Sequence, residues 1–196
     1  MPLKEAAMYE GLDTIVLYEE LAYEDVAPLA WRPLPAPFDP AIIGSFADRN
    51  LRVLQSLSAL EEHGQIEKID ENSPNAAYIV RLDLKVNLLL DMVGQLLLAS
   101  HPRPRATSIR FNALGAVWQG IAPHPDLGNQ GVLEIYLRDC IAEPLRLVGR
   151  IAAVAPDGRI KARFIPPGEH ISDLMEKLAF RKHRRQVAGA KNPRKG

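Results

Sequence analysis

A single cysteine, Cys140, stands in the 196 residues, so no disulfide framework is available and the chain fits a reducing compartment. Long hydrophobic runs are also missing. The best candidate, Leu84 to Leu98, is broken by Lys85, Asn87, Asp91 and Gln95, which excludes an ordinary membrane span. The start, Met1 to Glu10, carries Lys4, Glu5 and Glu10 without an apolar core, so no secretory signal is expected. There is no glycine-rich phosphate loop, no Gly-x-Ser-x-Gly and no paired-carboxylate motif. The histidines at 63, 101, 124, 170 and 183 lie far apart, with no pair at metal-ligand spacing, so neither a metal nor a catalytic residue is expected. What is present is ordinary for a globular chain: 47% hydrophobic and 24% charged residues, enough to bury a core in one domain with an insertion.

Charge balances overall but not locally. Residues 1–40 hold eight acids and two bases, whereas residues 181–196 hold seven bases and no acid. A basic C-terminal segment suits nucleic acid, an anionic ligand or an acidic protein partner, or is simply a solvated helix end followed by a loose tail.

Residues 13–18 and 28–31 are short apolar stretches near prolines and read as extended, so residues 10–35 are expected to supply a first barrel segment. Residues 33–40 are proline-rich and read as a stiff connector. A helix is predicted from Pro40, with Asp39 as its cap, to the region of His63 and Gly64. Ile43, Phe46, Val53, Leu57 and Leu60 share one face, and Asn50 falls on the same stripe, either as a buried polar group or as an edge residue.

A second helix, with Ser73 as cap and Pro74 in its first turn, carries the strongest signal. Ile79, Leu82, Val86, Leu89, Val93 and Leu96 follow steps of three and four, a heptad seam of the coiled-coil kind. Leu88, Leu90, Leu97 and Leu98 widen the apolar surface beyond what one partner helix can cover. Residues 40–100 are therefore expected to form an oligomerisation bundle of several copies, preferably a homotetramer. An intramolecular hairpin is the alternative.

After His101-Pro102 the period changes to that of strands. Short strands are expected around Thr107–Phe111, Ala116–Trp118, Val132–Leu137, Leu145–Val154 and Ile160–Ile165, with tight turns at residues 112–115 and at Asp157-Gly158 and a bend or bulge at Gly149. Residues 104–166 thus complete a small antiparallel barrel. An amphipathic helix over 168–186 follows, burying Ile171, Leu174, Leu178 and Met175, and a disordered basic tail is expected over 187–196. The fold class is α+β: a barrel interrupted by two long helices and closed by a C-terminal helix.

That order of elements resembles the atypical, tetrameric branch of the PilZ family. The resemblance rests on Leu82-Asp-Leu-Lys-Val-Asn-Leu-Leu-Leu-Asp-Met-Val-Gly-Gln-Leu-Leu-Leu98, on Ser108-Ile-Arg-Phe-Asn-Ala-Leu-Gly-Ala-Val-Trp118 and on Pro144-Leu-Arg-Leu-Val-Gly-Arg-Ile-Ala-Ala-Val154, and spans roughly residues 10–185. It implies a bacterial, cytoplasmic receptor or adaptor in cyclic di-GMP signalling, with no cofactor, a homo-oligomeric state and a protein partner. Ligand-binding members carry Arg-x-x-x-Arg before the barrel and Asp/Asn-x-Ser-x-x-Gly in an early turn. Here the second motif falls on Arg110-x-Asn112-x-x-Gly115, with arginine at the acid or amide position and asparagine at the serine position. A guanidinium donates hydrogen bonds and accepts none, so a guanine edge loses its acceptor. Arg181-x-x-x-Arg185 has the first motif's spacing at the wrong end of the chain. The resemblance therefore implies weak direct binding. The candidate ligand residues are Arg103, Arg105, Arg110, Asn112, Gly115 and Trp118, with arginine forks for phosphates and an indole for base stacking. Nucleic-acid binding or pure protein scaffolding through the basic C-terminal segment is the alternative function.

Overall fold

The computed structural model describes residues 21–35, 39, 41–62 and 75–190. The apolar stretch at 13–18, the proposed cap at Ser73-Pro74 and the end of the tail at 191–196 lie outside the described residues. Six antiparallel strands close into a barrel in the order β1-β2-β3-β6-β5-β4. They are β1 (Tyr23–Pro33), β2 (Ala106–Phe111), β3 (Gly115–Gln119), β4 (Gln130–Ile135), β5 (Leu145–Val154) and β6 (Arg159–Phe164).

β1 is the strand that closes the ring. Its first half, Tyr23 to Pro28, pairs with β2, and its second half, Leu29 to Pro33, pairs with β4. The helices α1 (Ala41–Glu62) and α2 (Ala76–Ser100) are inserted between β1 and β2, and α3 (Glu169–Ala190) follows β6. Strand alternation sends Tyr23, Ala27, Ile109, Phe111, Leu133, Ile135, Leu145, Leu147, Ile151 and Ile160 inward. Val53, Leu54 and Leu57 of α1 and Ile171, Met175, Leu178 and Ala179 of α3 join the same core.

Local chemistry explains most element boundaries. Asp39 caps α1: its Oδ1 accepts from the Ala41 N–H at 2.9 Å, the N-cap role expected of it. Asn75 precedes the first described turn of α2, and its side chain makes no capping bond. The Asp157-Gly158 turn joins β5 to β6, with Gly158 at φ +85°, where only glycine is comfortable.

Two expectations need correction. The irregularity in β5 lies between Ile151 and Ala153, not at Gly149. Gly149 is demanded instead by close strand approach, since a Cβ there would meet the Arg163 carbonyl oxygen at 2.6 Å. The helix α3 runs to Ala190, so residues 187–190 continue it where a loose tail was expected. No proline interrupts this stretch before Pro193, and alanine favours the helix.

Candidate functional site

The seam residues of α2 are left largely uncovered by their own chain. Ile79, Leu82, Val86, Leu89, Val93 and Leu96 are each between 42% and 68% exposed. Tyr78, Val80, Leu84, Leu88 and Met92 are exposed as well, so apolar side chains stand open around much of the helix. The face turned toward the rest of the chain is a different stripe, marked by Asp83, Leu90, Gly94 and Leu97. At 3.6 residues per turn that stripe lies about a quarter turn from the seam. Gly94 is buried against the 139–140 loop, where a Cβ would come within 3.2 Å of the Asp139 Cβ. Between α1 and α2 a cleft of about 510 Å³ remains, lined by Val53, Leu60, Val86, Leu90, Cys140 and Ile141. The intramolecular hairpin is therefore not a closely packed one: Val86 borders the cleft at the edge of the seam, and the rest of the seam stays open.

The barrel residues proposed for a ligand do not all form one site, and only Arg105 and Trp118 border a common cleft. Arg105 precedes β2 and Asn112 follows it, so they stand at opposite ends of the strand, about 23 Å apart at the usual rise. Arg103 has only 6% of its side chain exposed. Its Nη1 donates to the Arg138 carbonyl at 2.9 Å and to Asp139 Oδ1 at 3.1 Å. Its Nη2 donates to the carbonyls of Asp139 and Ile141, both at 2.9 Å, and the guanidinium lies over the Tyr136 ring. These bonds hold the loop that receives Gly94 of α2, so the fork is committed to the protein and not open to a phosphate.

Asn112 is equally occupied. Its Oδ1 accepts from the Leu114 and Gly115 N–H groups at 2.9 and 3.1 Å, which builds the β2–β3 turn. Gly115 is required by the neighbouring strand: a Cβ there would sit 2.5 Å from the Ala162 carbonyl oxygen. Trp118, expected to stack on a base, is 3% exposed inside the barrel and stacks on Trp31 at a centroid distance of 6.0 Å. With Arg105 and Trp31 it borders a cleft of about 370 Å³ at one end of the barrel, but little of its ring is exposed there. Arg110 projects outward and pairs with Glu24 of β1 at 3.1 Å, and Arg105 is exposed. Arg181 donates to Ser58 Oγ at 2.6 Å and so helps hold α3 on α1.

Two contacts anchor the helices: the first uses Asn50, which is the buried polar group that was one of its two expected placements, and the second was not foreseen in the sequence. Asn50 of α1 bonds the backbone of Arg146 on β5. Lys182 of α3 reaches Asp25 of β1 at 2.7 Å, and its ammonium lies 5.1 Å from the Tyr23 ring centroid. Asp25 also accepts from Tyr23 Oη and from the Val26 N–H, each at 2.9 Å. Burial works to raise this carboxyl, but the Lys182, Tyr23 and Val26 donors and the Lys182 charge outweigh it and hold it below its ordinary value. Reading also missed the alternating cations Arg159, Lys161 and Arg163 of β6. The pattern Arg-Ile-Lys-Ala-Arg-Phe was itself the signal of a strand with one charged face. Among the described residues no group of three or more potential ligands for a metal ion is gathered, and no helix is long and apolar enough to cross a membrane.

A family profile described as an atypical PilZ domain, cyclic di-GMP receptor, matches residues 54–192. The chain belongs to the atypical PilZ domain family. A solved structure of similar fold is that of a pathogenic protein from Xanthomonas campestris, described as a new tetrameric PilZ domain self-assembled via an unusual helical bundle. It is 26% identical, with a TM-score of 0.62, and the match covers 87% of this chain and 91% of that one. No curated protein matches. The PilZ likeness agrees with the barrel, the two-helix insertion and the C-terminal helix described above.

Proposed function

We propose that this PilZ protein is a cytoplasmic signalling adaptor, not an enzyme, which assembles as a homotetramer through the heptad seam of α2 and whose direct affinity for cyclic di-GMP is weak. The observation that carries the reading is the exposed row from Ile79 to Leu96 on a helix that its own chain leaves largely uncovered. A helix apolar around much of its circumference is stable in water only when neighbours cover it. The Xanthomonas campestris relative, described as self-assembled via a helical bundle, supports the same use of these helices. Weak ligand binding follows from the commitments of Arg103, Asn112, Gly115 and Trp118 within the fold, which leave Arg105 and Arg110 as the arginines placed to meet a phosphate.

Light scattering and sedimentation of the full chain test the assembly. A mass of four chains is expected, and Leu82→Asn with Leu89→Asn should shift it toward the monomer. A monomeric parent at micromolar concentration overturns the scaffold. Calorimetry with cyclic di-GMP at near-physiological salt tests the second part. Affinity weaker than micromolar, reduced further by Arg105→Ala or Arg110→Ala, is expected. Tight binding that survives both substitutions overturns the placement.

A further inference from the structure

One face of α3 carries apolar side chains that the described residues leave largely uncovered. Ile171, Met175, Leu178 and Ala179 of that helix lie in the core, whereas Phe180 is 52% exposed and Val187 42%. Phe180 stands about 160° around the helix from Leu178, so the core stripe does not include it. Phe180 and Val187 are two turns apart on one face, and Arg184 lies between them with its guanidinium 5.8 Å from the Phe180 ring centroid. Phe180 also lines a groove of about 520 Å³ together with Lys177, Arg181 and Leu21. Leu21 is the first described residue, and its side chain rests against the core. The chain therefore enters the fold beside this groove. Lys177 and Arg184 are exposed, and no carboxylate among the described residues pairs with either.

We infer that this groove is covered by the chain's own residues 13–20, Asp-Thr-Ile-Val-Leu-Tyr-Glu-Glu. Reach is the first argument. A chain spans at most about 3.6 Å per residue, so Tyr18 lies within about 11 Å of Leu21 and Ile15 within about 22 Å. Val187 lies about 10.5 Å along α3 from Phe180, so the run from Ile15 to Tyr18 is long enough to pass over both. Chemistry is the second. Ile15, Val16, Leu17 and Tyr18 supply apolar surface for Phe180 and Val187 to bury against. Asp13, Glu19 and Glu20 bracket that run, as Lys177 and Arg184 bracket Phe180. The two ends of the chain differ in sign throughout: residues 1–20 hold five acids and one base, and residues 181–196 seven bases and no acid. Asp173 and Glu176 make the start of α3 acidic, so the segment runs toward the basic end of the helix. Tethering is the third argument. A segment joined a few residues from its site has an effective concentration of about millimolar, above that of an untethered competitor.

The test is hydrogen exchange of the full chain read by mass spectrometry. Amides of residues 13–20 are expected to exchange about tenfold more slowly than in a synthetic peptide of the same sequence. Phe180→Ser with Arg184→Gln should remove that protection, and so should Ile15→Ser with Leu17→Ser. The control Ile121→Ser, at an exposed site in the β3–β4 loop, should leave it unchanged. Circular dichroism melts confirm that the variants fold. Unprotected amides at 13–20 overturn the proposal and leave the groove to an external segment. Protection that survives Phe180→Ser with Arg184→Gln overturns it as well, because the segment then rests elsewhere. Carbodiimide coupling of Glu19 or Glu20 to Lys177, in an equal mixture of heavy-isotope and unlabelled chains re-equilibrated together, reads which copy supplies the segment. Links within one isotope are expected. Links that join the two isotopes overturn the chain's own segment in favour of a second copy's. Neither readout depends on α2, so failure here leaves the reading of its seam standing.

Discussion

The side chain of Asn50 bonds both backbone polar groups of Arg146. Nδ2 donates to the Arg146 carbonyl at 2.7 Å, and Oδ1 accepts from the Arg146 N–H at 2.8 Å. The asparagine is 2% exposed and behaves toward β5 as another strand would, fixing where α1 sits on the barrel. Asn50→Ala would leave a buried donor and a buried acceptor without partners. Chemical denaturation should show a loss of about 2–4 kcal/mol. Asn50→Asp keeps the acceptor but loses the donor and should also destabilise. A loss no larger than that of an exposed site such as Arg49→Ala would show that α1 is held by its leucines alone.

Gly115 and Gly44 should respond in opposite ways to alanine. The new Cβ at position 115 would fall 2.5 Å from the Ala162 carbonyl oxygen, and backbone on both strands would have to move. A cost of about 2 kcal/mol or more is expected in a urea titration. At Gly44, in α1, nothing lies within 4 Å, so alanine should be neutral or stabilise by up to about 1 kcal/mol. Equal responses at the two positions would refute the close-approach account.

The Asp25–Lys182 contact makes a pH-dependent contribution. The Asp25 carboxyl is held below its ordinary value, so between the folded and unfolded values the unfolded chain binds more protons. The contribution is complete above about pH 5 and falls away as pH drops through the ordinary aspartate range and then the lower folded value. Both side chains are partly exposed, so solvent screening limits the pair to about 0.5–1 kcal/mol. Thermal melts between pH 7 and pH 3 should give Asp25→Asn a flatter profile than the parent. An identical pH slope would remove the contact from the account.

Arg103 should prove a structural residue. Arg103→Ala removes donors from three loop carbonyls and is expected to cost about 2–4 kcal/mol. Arg103→Lys should recover only part of this, because an ammonium cannot reproduce the fork. Hydrogen exchange at residues 138–141 should speed up in both variants. Unchanged protection there would mean that the loop does not depend on this side chain.

Much of the fold was legible because short-range chemistry wrote it. Asp39 before an apolar helical stripe is a cap in any setting, and it caps. Asp157-Gly158 between two apolar runs is a turn, and strand alternation put Ile109, Leu133 and Leu147 inside. The candidate ligand set was less legible, because residues close in sequence can serve opposite ends of a strand. Arg105 and Asn112 were grouped by position, and β2 carries them apart.

The amino-acid order by itself determined the helix with a heptad seam, the strand segments around it and the PilZ resemblance, since each depends on local periodicity and turn chemistry. Only the tertiary structure decided which polar groups were already occupied. Arg103, Asn112 and Trp118 were sequence candidates for a ligand until pairing across the barrel showed their partners to be a loop, a turn and Trp31. It also placed Arg150 opposite Arg163, thirteen residues apart in the chain, because strand register is a property of the closed sheet and not of either strand alone.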